Sequence, residues 1–553
     1  MQIDKDLIFG RIDMKNMKRL IFLFGAFLSF ASTVLYAQEK TEKVTFTIPK
    51  SIFFTDEKIW IDASVSYDGD PAESKVLYAE LLDKDNRSWV LAKMPLEEDG
   101  QTLNFLELNE RIPSGNYLLR VFTRISPYLD LNEGLKQRFV TVLNPKLPPQ
   151  SDTQKASSLN AQAMEEAFAL PKAGSPSLST LLNVFGNIPK EKILEVSLSV
   201  ENPYLEAEEE VLLSESLYEG ISPRVLLPEL FGPIVHARIN AENPDTTQTY
   251  FLSVHGQQSA LFTDKPDESG NLYFDMGGFR HWDHLLIQVE DGDGIPDLEL
   301  QSPAPRTSFK QGFQFPELVI SPEDSPFLSQ LKIASALEPY FSQEYRNDSV
   351  PVVTGFVADQ VYNLDDYTRF ETVETVTREY ITGVVIRRRD KRKEFRILNV
   401  PADAMFDENP LMMVDALPVF DSDMLINFNP KFFKKVEVLN REFYLNDRSY
   451  PGVLSFSSYE NNFGLYPVPD QVLYENYSGV HPFIQFREQL GERVNHGVKE
   501  PDYRSVLLWQ IGNEINPETA IEPSDLQIPY KLSIRYLDQN GVEKKVSKMV
   551  MIQ

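Results

Sequence analysis

Between Lys43 and Asn144 apolar and polar residues alternate in short runs: VTFTI, KIWIDASVSY, KVLYAELLD, SWVLAKMPL, TLNFLEL and NYLLRVFTR. Asp-Gly, Asp-Asn and Pro-Ser-Gly stand between them. Period-two alternation places every second side chain on one face of a strand, and turn residues at short intervals fold such strands into packed sheets. The pattern predicts a β-sandwich over 38–145. From 146 to 186 the chain turns rich in Pro, Ser, Ala and Gln, which predicts a linker with a helical turn or two in LNAQAMEEAFAL. Alternation resumes from Glu195 to Ile320 in LEVSLSVEN, GPIVHARINAE, TYFLSVHG, NLYFDM and HLLIQVED, predicting one or two further sandwich modules over 187–320.

After a connector over 321–364, the period changes. Phe370, Val373, Val376 and Tyr380 recur at helical spacing, and GVVIRRRDKRKEFRILNV reads as a hairpin turning at Asp390. INFNPKFFKKVEVLN reads as helix-like, and a β segment occupies 461–553. The expected fold class is mainly β: tandem immunoglobulin-like β-sandwiches plus a small α+β unit over 365–460.

The front of the chain has a different pattern. Lys18 and Arg19 precede an apolar run from Leu20 to Phe30, and small residues continue to Ala37 before Gln38. A basic flank, a short apolar core and a small residue at the cut are the marks of an export signal over 1–37, with Met14 or Met17 as the initiator. Composition then narrows the function classes. The chain of 553 residues has no cysteine, which removes disulfides, thiolate metal sites and cysteine catalysis. Its 36 Phe and 23 Tyr supply core-forming area, whereas 37 Pro disfavour long helices. A net charge of −28 argues against nonspecific nucleic-acid binding, which requires Lys and Arg to neutralise phosphates.

Two stretches carry family resemblances. The strand opening at Lys58-Ile59-Trp60, then VLYAELLD, then IPSGNYLLRVFTR resembles the second macroglobulin-type domain of bacterial envelope proteins, which implies a sandwich and no chemistry. NPLMMVDALPVFD, INFNPKFFKKVEVLN and RSYPGVLSFSSY, within Tyr367 to Glu460, resemble in order the plug domain of TonB-dependent outer-membrane receptors. Ala416 stands where that plug has glycine. Only 93 residues follow Glu460, too few for the receptor's barrel, so no transport of its own is expected. The resemblance implies a docking or structural module with Met412, Val414, Val436 and Val438 facing inward. The whole order is similar to exported Bacteroidota envelope proteins.

Candidate chemistry is sparse. LLWQIGNEINPE resembles the segment that carries the acid/base glutamate of many glycoside hydrolases, with Glu514 as the acid. In those enzymes a second carboxylate arrives from a later strand, but only 39 residues follow Glu514, and the preceding chain lacks the alternating helices of a (β/α)₈ barrel. In EDGDGIPD, Asp291, Asp293 and Asp297 are a candidate calcium loop, against the plain reading of an Asp-Gly turn. RHWDH brings His281, Asp283 and His284 close in sequence, but a strand would point the two histidines to opposite sides. Arg387, Arg388, Arg389, Lys391, Arg392 and Lys393 form the dense basic cluster of an acidic protein. Such a cluster suits an acidic partner or anionic headgroups, or serves as a solvated turn that discourages edge pairing. No cofactor is expected. The expectation is a non-enzymatic exported envelope protein, periplasmic or associated with the outer membrane. It would act through contacts with proteins there, including an outer-membrane barrel, with no nucleic acid as partner; the alternative is a glycan-binding or glycan-active protein.

Overall fold

Strand Lys58–Tyr67 shows how the first module forms. Ile59, Ile61, Ala63 and Val65 point one way into an apolar core, while Trp60, Asp62 and Ser64 point the other. The computed structural model describes residues 41–149, 157, 159, 167–171, 174–186, 188, 192–205, 212–224, 226–256, 258–278, 282–290, 294–341, 345–347, 355–486 and 501–553. The export-signal reading over 1–37 lies outside them. The fold class is mainly β, with tandem sandwiches and a small α+β unit.

In the first sandwich, Lys58–Tyr67 lies between Glu42–Thr47 on one side and Gln101–Glu107 on the other. The facing sheet runs in the order Ile52–Phe54, Leu135–Leu143, Gly115–Thr123, Val76–Leu82 and Ser88–Pro95. Leu77, Ala79, Leu81, Leu119, Val121, Val140 and Val142 meet the first sheet in one core. Full burial of each large aliphatic side chain contributes about 1.5–3 kcal/mol.

A second sandwich packs Asn271–Asp275, Ile234–Ile239 and Leu298–Leu300 against a sheet of Ala260–Asp264, Tyr250–Gly256, Trp282–Val289 and Leu473–Asn476. Its last strand comes from the segment expected to begin a C-terminal unit. The two sandwiches share a buried polar contact. Glu229 accepts hydrogen bonds from Tyr78 Oη (2.7 Å) and the Ile234 amide (2.8 Å) and lies 3.5 Å from the Arg124 guanidinium. Lys93 donates to the Ser478 carbonyl and sits 3.5 Å over the Tyr477 ring.

The α+β unit has a five-stranded sheet in the order Gln360–Asn363, Phe433–Leu439, Val453–Ser458, Leu411–Val414 and Leu417–Pro418. Helices Val373–Tyr380 and Ser422–Asn427 contribute to the same core, and the hairpin Val384–Arg389 with Arg392–Asn399 adds Phe395 and Ile397. Met412, Val414, Val436 and Val438 are buried there. The helix-like reading of INFNPKFFKKVEVLN holds only at its start. Beyond Asn427 a single 3-10 turn at Pro430–Phe432 gives way to strand Phe433–Leu439, because Phe433, Val436 and Val438 are buried between strand neighbours.

The largest departure concerns the segments read as a linker and a C-terminal unit. Phe168–Leu170 pairs in parallel with Glu543–Ile552, and the sheet continues through Tyr530–Leu537 and Ile193–Val200 to Val506–Ile511. Helices Leu178–Leu182 and Ser325–Phe341 cover its apolar face. The linker and connector therefore supply parts of one closing domain, whose pieces bracket the second sandwich and the α+β unit.

Two local features give direct tests. The turn between Leu411–Val414 and Leu417–Pro418 places Asp415 at φ 47° and Ala416 at φ 65°. The Asp415 carboxylate accepts from the Ser458 and Phe463 amides (2.7 and 2.8 Å), which holds the turn in place. An alanine at left-handed φ is strained by roughly 1–2 kcal/mol, and glycine relieves this at some cost in chain entropy. We expect Ala416→Gly to raise unfolding stability by about 0.5–1 kcal/mol in urea titrations; a loss would place the strain elsewhere.

His255 is fully buried, and neither ring nitrogen has a hydrogen-bond partner among the described residues; the ring stacks on His284 at 5.3 Å. Burial, then the neighbouring His284, pushes its pKa from 6.5 down to about 3. The folded state thus resists a proton that the unfolded chain accepts. Stability is complete above pH 6.5 and is lost as the pH falls toward 3, by about 1.4 kcal/mol per pH unit. His255→Phe should flatten this acid dependence of the melting temperature, and an unchanged slope would assign it to other groups.

Candidate functional site

The polar face of the closing sheet stands opposite the first sandwich. Along Ile193–Val200, Val196, Leu198 and Val200 enter the helix-covered core, so Glu195, Ser197 and Ser199 face the other way. Along Tyr530–Leu537 the same alternation sends Leu532 and Ile534 inward and Lys531, Ser533 and Arg535 outward. Between this polar face and the sandwich lies a groove of about 640 Å³, lined also by Lys43 to Lys50 and by Glu133, Lys136, Gln137 and Arg138. Eight Lys or Arg side chains line it against three Glu.

Glu195 ties the two walls together. Thr47 of the sandwich and Trp509 Nε1 (3.2 Å) both donate to its Oε1, and Arg535 Nε donates to its Oε2 (3.1 Å). Arg535 reaches on to Glu543 (3.1 Å). Asp62, on the outward face of the sandwich sheet, has its carboxyl pushed up to about 7. Burial is the main cause, followed by the charges of Glu195 and Glu514, with Arg535 opposing them. Beside the groove, Trp60, Ile484, Val506 and Trp509 form an apolar seam, with Trp60 edge-on to Phe105 at 5.1 Å.

The sequence-predicted residues fall at different places. Glu514 lies in the short 3-10 turn Gly512–Glu514, exposed and within electrostatic reach of Asp62. Both oxygens of Glu195 are already held by donors, and Trp60 and Trp509 are only 2% and 5% exposed, so neither indole offers a face to a sugar ring. Of the calcium candidates, Asp291 and Asp293 lie outside the described residues. Asp297 is bound across to Asn240, its carbonyl accepting the Asn240 amide (3.0 Å) and its carboxylate the Asn240 side chain (2.9 Å). Among the described residues no three His, Asp or Glu side chains gather as a metal site. His281 is also outside the described residues, while His284 stacks between His255 and Tyr474.

The basic hairpin turns at Asp390 and Lys391, both at positive φ. Arg387, Arg388, Arg389, Lys391 and Arg392 are exposed. Lys393 differs: its Nζ binds Glu374 (2.6 Å), and its main chain is held by Asp423 and Ser422. It belongs to the packing of the two helices and leaves the cluster with five exposed cations. Cross-strand register sets Arg388 opposite Lys393 and Arg389 opposite Arg392.

The groove residues gave no sequence signal. Ser197, Lys531 and Arg535 occupy the polar half of alternating strands, which from sequence alone is read as a solvent face. The legible sign was only that Ile193–Val200 and Tyr530–Leu537 alternate at all.

No protein-family model matches the chain, and no curated protein does. Among solved structures, it is similar to a tetra-tandem repeat from the extending region of a large adhesion protein. That likeness has 7% identity, covers 93% of this chain and 100% of the other, and has a TM-score of 0.15. It is also similar to Escherichia coli alpha-2-macroglobulin activated by porcine elastase, at 10% identity over 93% of this chain and a TM-score of 0.22. The trypsin-activated form gives 11% identity over 93% of this chain and a TM-score of 0.16. The chain spans 44% and 31% of those two macroglobulin chains.

Directly opposed like charges destabilise a strand pair by roughly 0.2–1 kcal/mol. Arg389→Glu, facing Arg392, should therefore stabilise the protein by about 0.5 kcal/mol, whereas Lys393→Ser should destabilise it through loss of the Glu374 contact. Urea unfolding of the two variants checks both signs, and the same sign for both would refute the split within the cluster.

Proposed function

We propose that this is a non-enzymatic, exported cell-envelope protein that works through protein contacts at or near the outer membrane. It would be an accessory of an outer-membrane transport or assembly complex. The observation that carries the reading is the cationic groove between the first sandwich and the closing sheet. It is polar and built largely from strands, and its half-buried carboxylate Glu195 holds the walls together. Export is supported by the basic flank and apolar run from Lys18 to Ala37. A docking role for residues 365–460 is supported by the plug-like order of its strands and by the exposed cations of the hairpin.

The test is recovery of partners by the tagged full chain from detergent-extracted envelopes, read by mass spectrometry. Wild type should co-purify a barrel protein or another envelope protein in a salt-sensitive way. The double variant Arg138→Glu, Lys545→Glu should lose that partner while keeping its melting temperature, because surface charges contribute little to folding. Recovery of no envelope protein by wild type would sink the reading.

A further inference from the structure

We infer that the tip of the basic hairpin, Arg387 to Arg392, adsorbs to an anionic lipid surface, binding phosphate-bearing headgroups without entering the apolar layer. This goes beyond the protein-contact reading and involves no residue of the groove.

The first observation is that the tip stands clear of the body. All six residues from Arg387 to Arg392 are exposed, although neighbours along a strand point to opposite faces. Neither face of the ribbon is therefore covered there by the described residues. Three residues on each strand, at about 3.3 Å each, carry the turn roughly 10 Å outward. The base is fixed. Asp423 accepts the Lys393 amide (3.0 Å), Ser422 Oγ donates to the Lys393 carbonyl (2.6 Å), and Asn409 accepts the Phe395 amide (2.9 Å).

The second observation is unpaired charge. Among the described residues, the side chains of Arg387, Arg388, Arg389, Lys391 and Arg392 make no hydrogen bond, ion pair or ring contact. The carboxylates at the base are already taken, Glu394 by Arg396 and Glu374 by Lys393 and Arg378. Within the tip itself the one carboxylate is Asp390.

The third observation is that local geometry yields to charge. Arg389 stands directly opposite Arg392, where like charges repel. Lys391 takes φ 72° in a two-residue turn, at a position where glycine would be unstrained. A turn needed only to reverse the chain, or to guard a sheet edge, would relieve both with Gly at one position and mixed charges at the other. Keeping the cations there is favourable once an anionic surface offsets the repulsion.

The arrangement favours lipid over a protein segment. Arg387, Arg389 and Arg392 share one face of the ribbon, Arg388 lies on the other, and Lys391 is at the turn. An acidic segment laid on one face would leave the rest unmet, whereas a fluid layer of headgroups can gather around all five. Four of the five are Arg, whose planar fork takes phosphate oxygens in pairs. The tip carries no apolar side chain, so contact stops at the headgroups. The chain as a whole has a net charge of −28. At about 0.1 M salt a projection of roughly 10 Å equals one Debye length, so the surface's repulsion of the acidic body is screened while the tip is in contact.

The test is co-sedimentation of the protein, purified from envelopes, with vesicles of phosphatidylglycerol or of phosphatidylcholine at about 0.1 M salt. Wild type should bind phosphatidylglycerol and not phosphatidylcholine, and binding should fall as salt rises further. Replacing Arg387, Arg388, Arg389, Lys391 and Arg392 by Gln should weaken binding at least roughly tenfold, with an unchanged or higher melting temperature. Gln at five exposed cations elsewhere, Lys84, Arg87, Arg111, Lys310 and Lys434, should change it less than about threefold, which separates the tip from net charge. Equal binding to the two lipids, or equal loss in the two variants, would overturn the inference. So would binding to neither vesicle; if the tip variant then also loses an envelope protein that wild type recovers, the tip belongs to a protein partner. No groove residue is changed, so the protein-contact reading stands or falls separately.

Discussion

Strand Ile193–Val200 is held on both sides by strands that the chain makes only near its other end, and the rest of the architecture depends on that closure. Its Glu195 bonds Trp509, 314 positions away, and Arg535, 340 positions away. The second sandwich and the α+β unit are folded out between the two halves of one sheet. Closing so long a loop is entropically unfavourable, though the cost grows only slowly with length. It is offset by a shared core in which Leu198, Leu532, Ile534 and Val550 pack under the Ser325–Phe341 helix. Because the groove takes one wall from this sheet and the other from the first sandwich, it exists only when the closure has formed.

Legibility from sequence followed the range of the interactions. The first sandwich could be read because its strands are successive in the chain and bury one face against each other, so alternation and turns state the pairing locally. The inward set Met412, Val414, Val436 and Val438 was legible for the same reason. Phe168–Leu170 was not. Three residues inside a Pro- and Ser-rich stretch carry no period, and their strand character comes from Val550 to Ile552 at the far end. In the Phe433–Leu439 segment the inward positions were legible but the element type was not settled by periodicity. Phe433, Val436 and Val438 are compatible with both periods over so short a run, and the sheet chose the strand.

The site was less legible than the fold. Polar faces turned toward another module look, in sequence, identical to faces turned toward water. Asp62 is one residue of an ordinary alternating strand, and only burial in the fold, joined by Glu195 and Glu514 arriving from distant segments, raises its pKa. The basic hairpin could be found because its charges are contiguous, yet Lys393 was grouped with it on sequence proximity and belongs to Glu374 by register. Sequence proximity identified the cluster. Three-dimensional neighbours decided which of its members stay exposed.

Whether a groove between modules is preformed depends on how firmly the modules are docked, and buried polar contacts decide this more than area does. The first sandwich is fixed on its other side as well. Arg120 is buried against Glu80 and donates to Thr307 and the Pro305 carbonyl, while Glu229 is enclosed by Tyr78, Arg124 and the Ile234 amide. Lys93, in the same interface, is pushed down to about 7 by burial, with Glu229 opposing that shift. Separating the modules would break these hydrogen bonds together, each worth about 0.5–1.5 kcal/mol net of the solvation regained. A hinge at this interface would have to break all of them each time it opened. The first sandwich is thus held between two polar contacts, Glu229 on one side and Glu195 on the other, and the width of the cationic groove is set by the fold before any partner arrives.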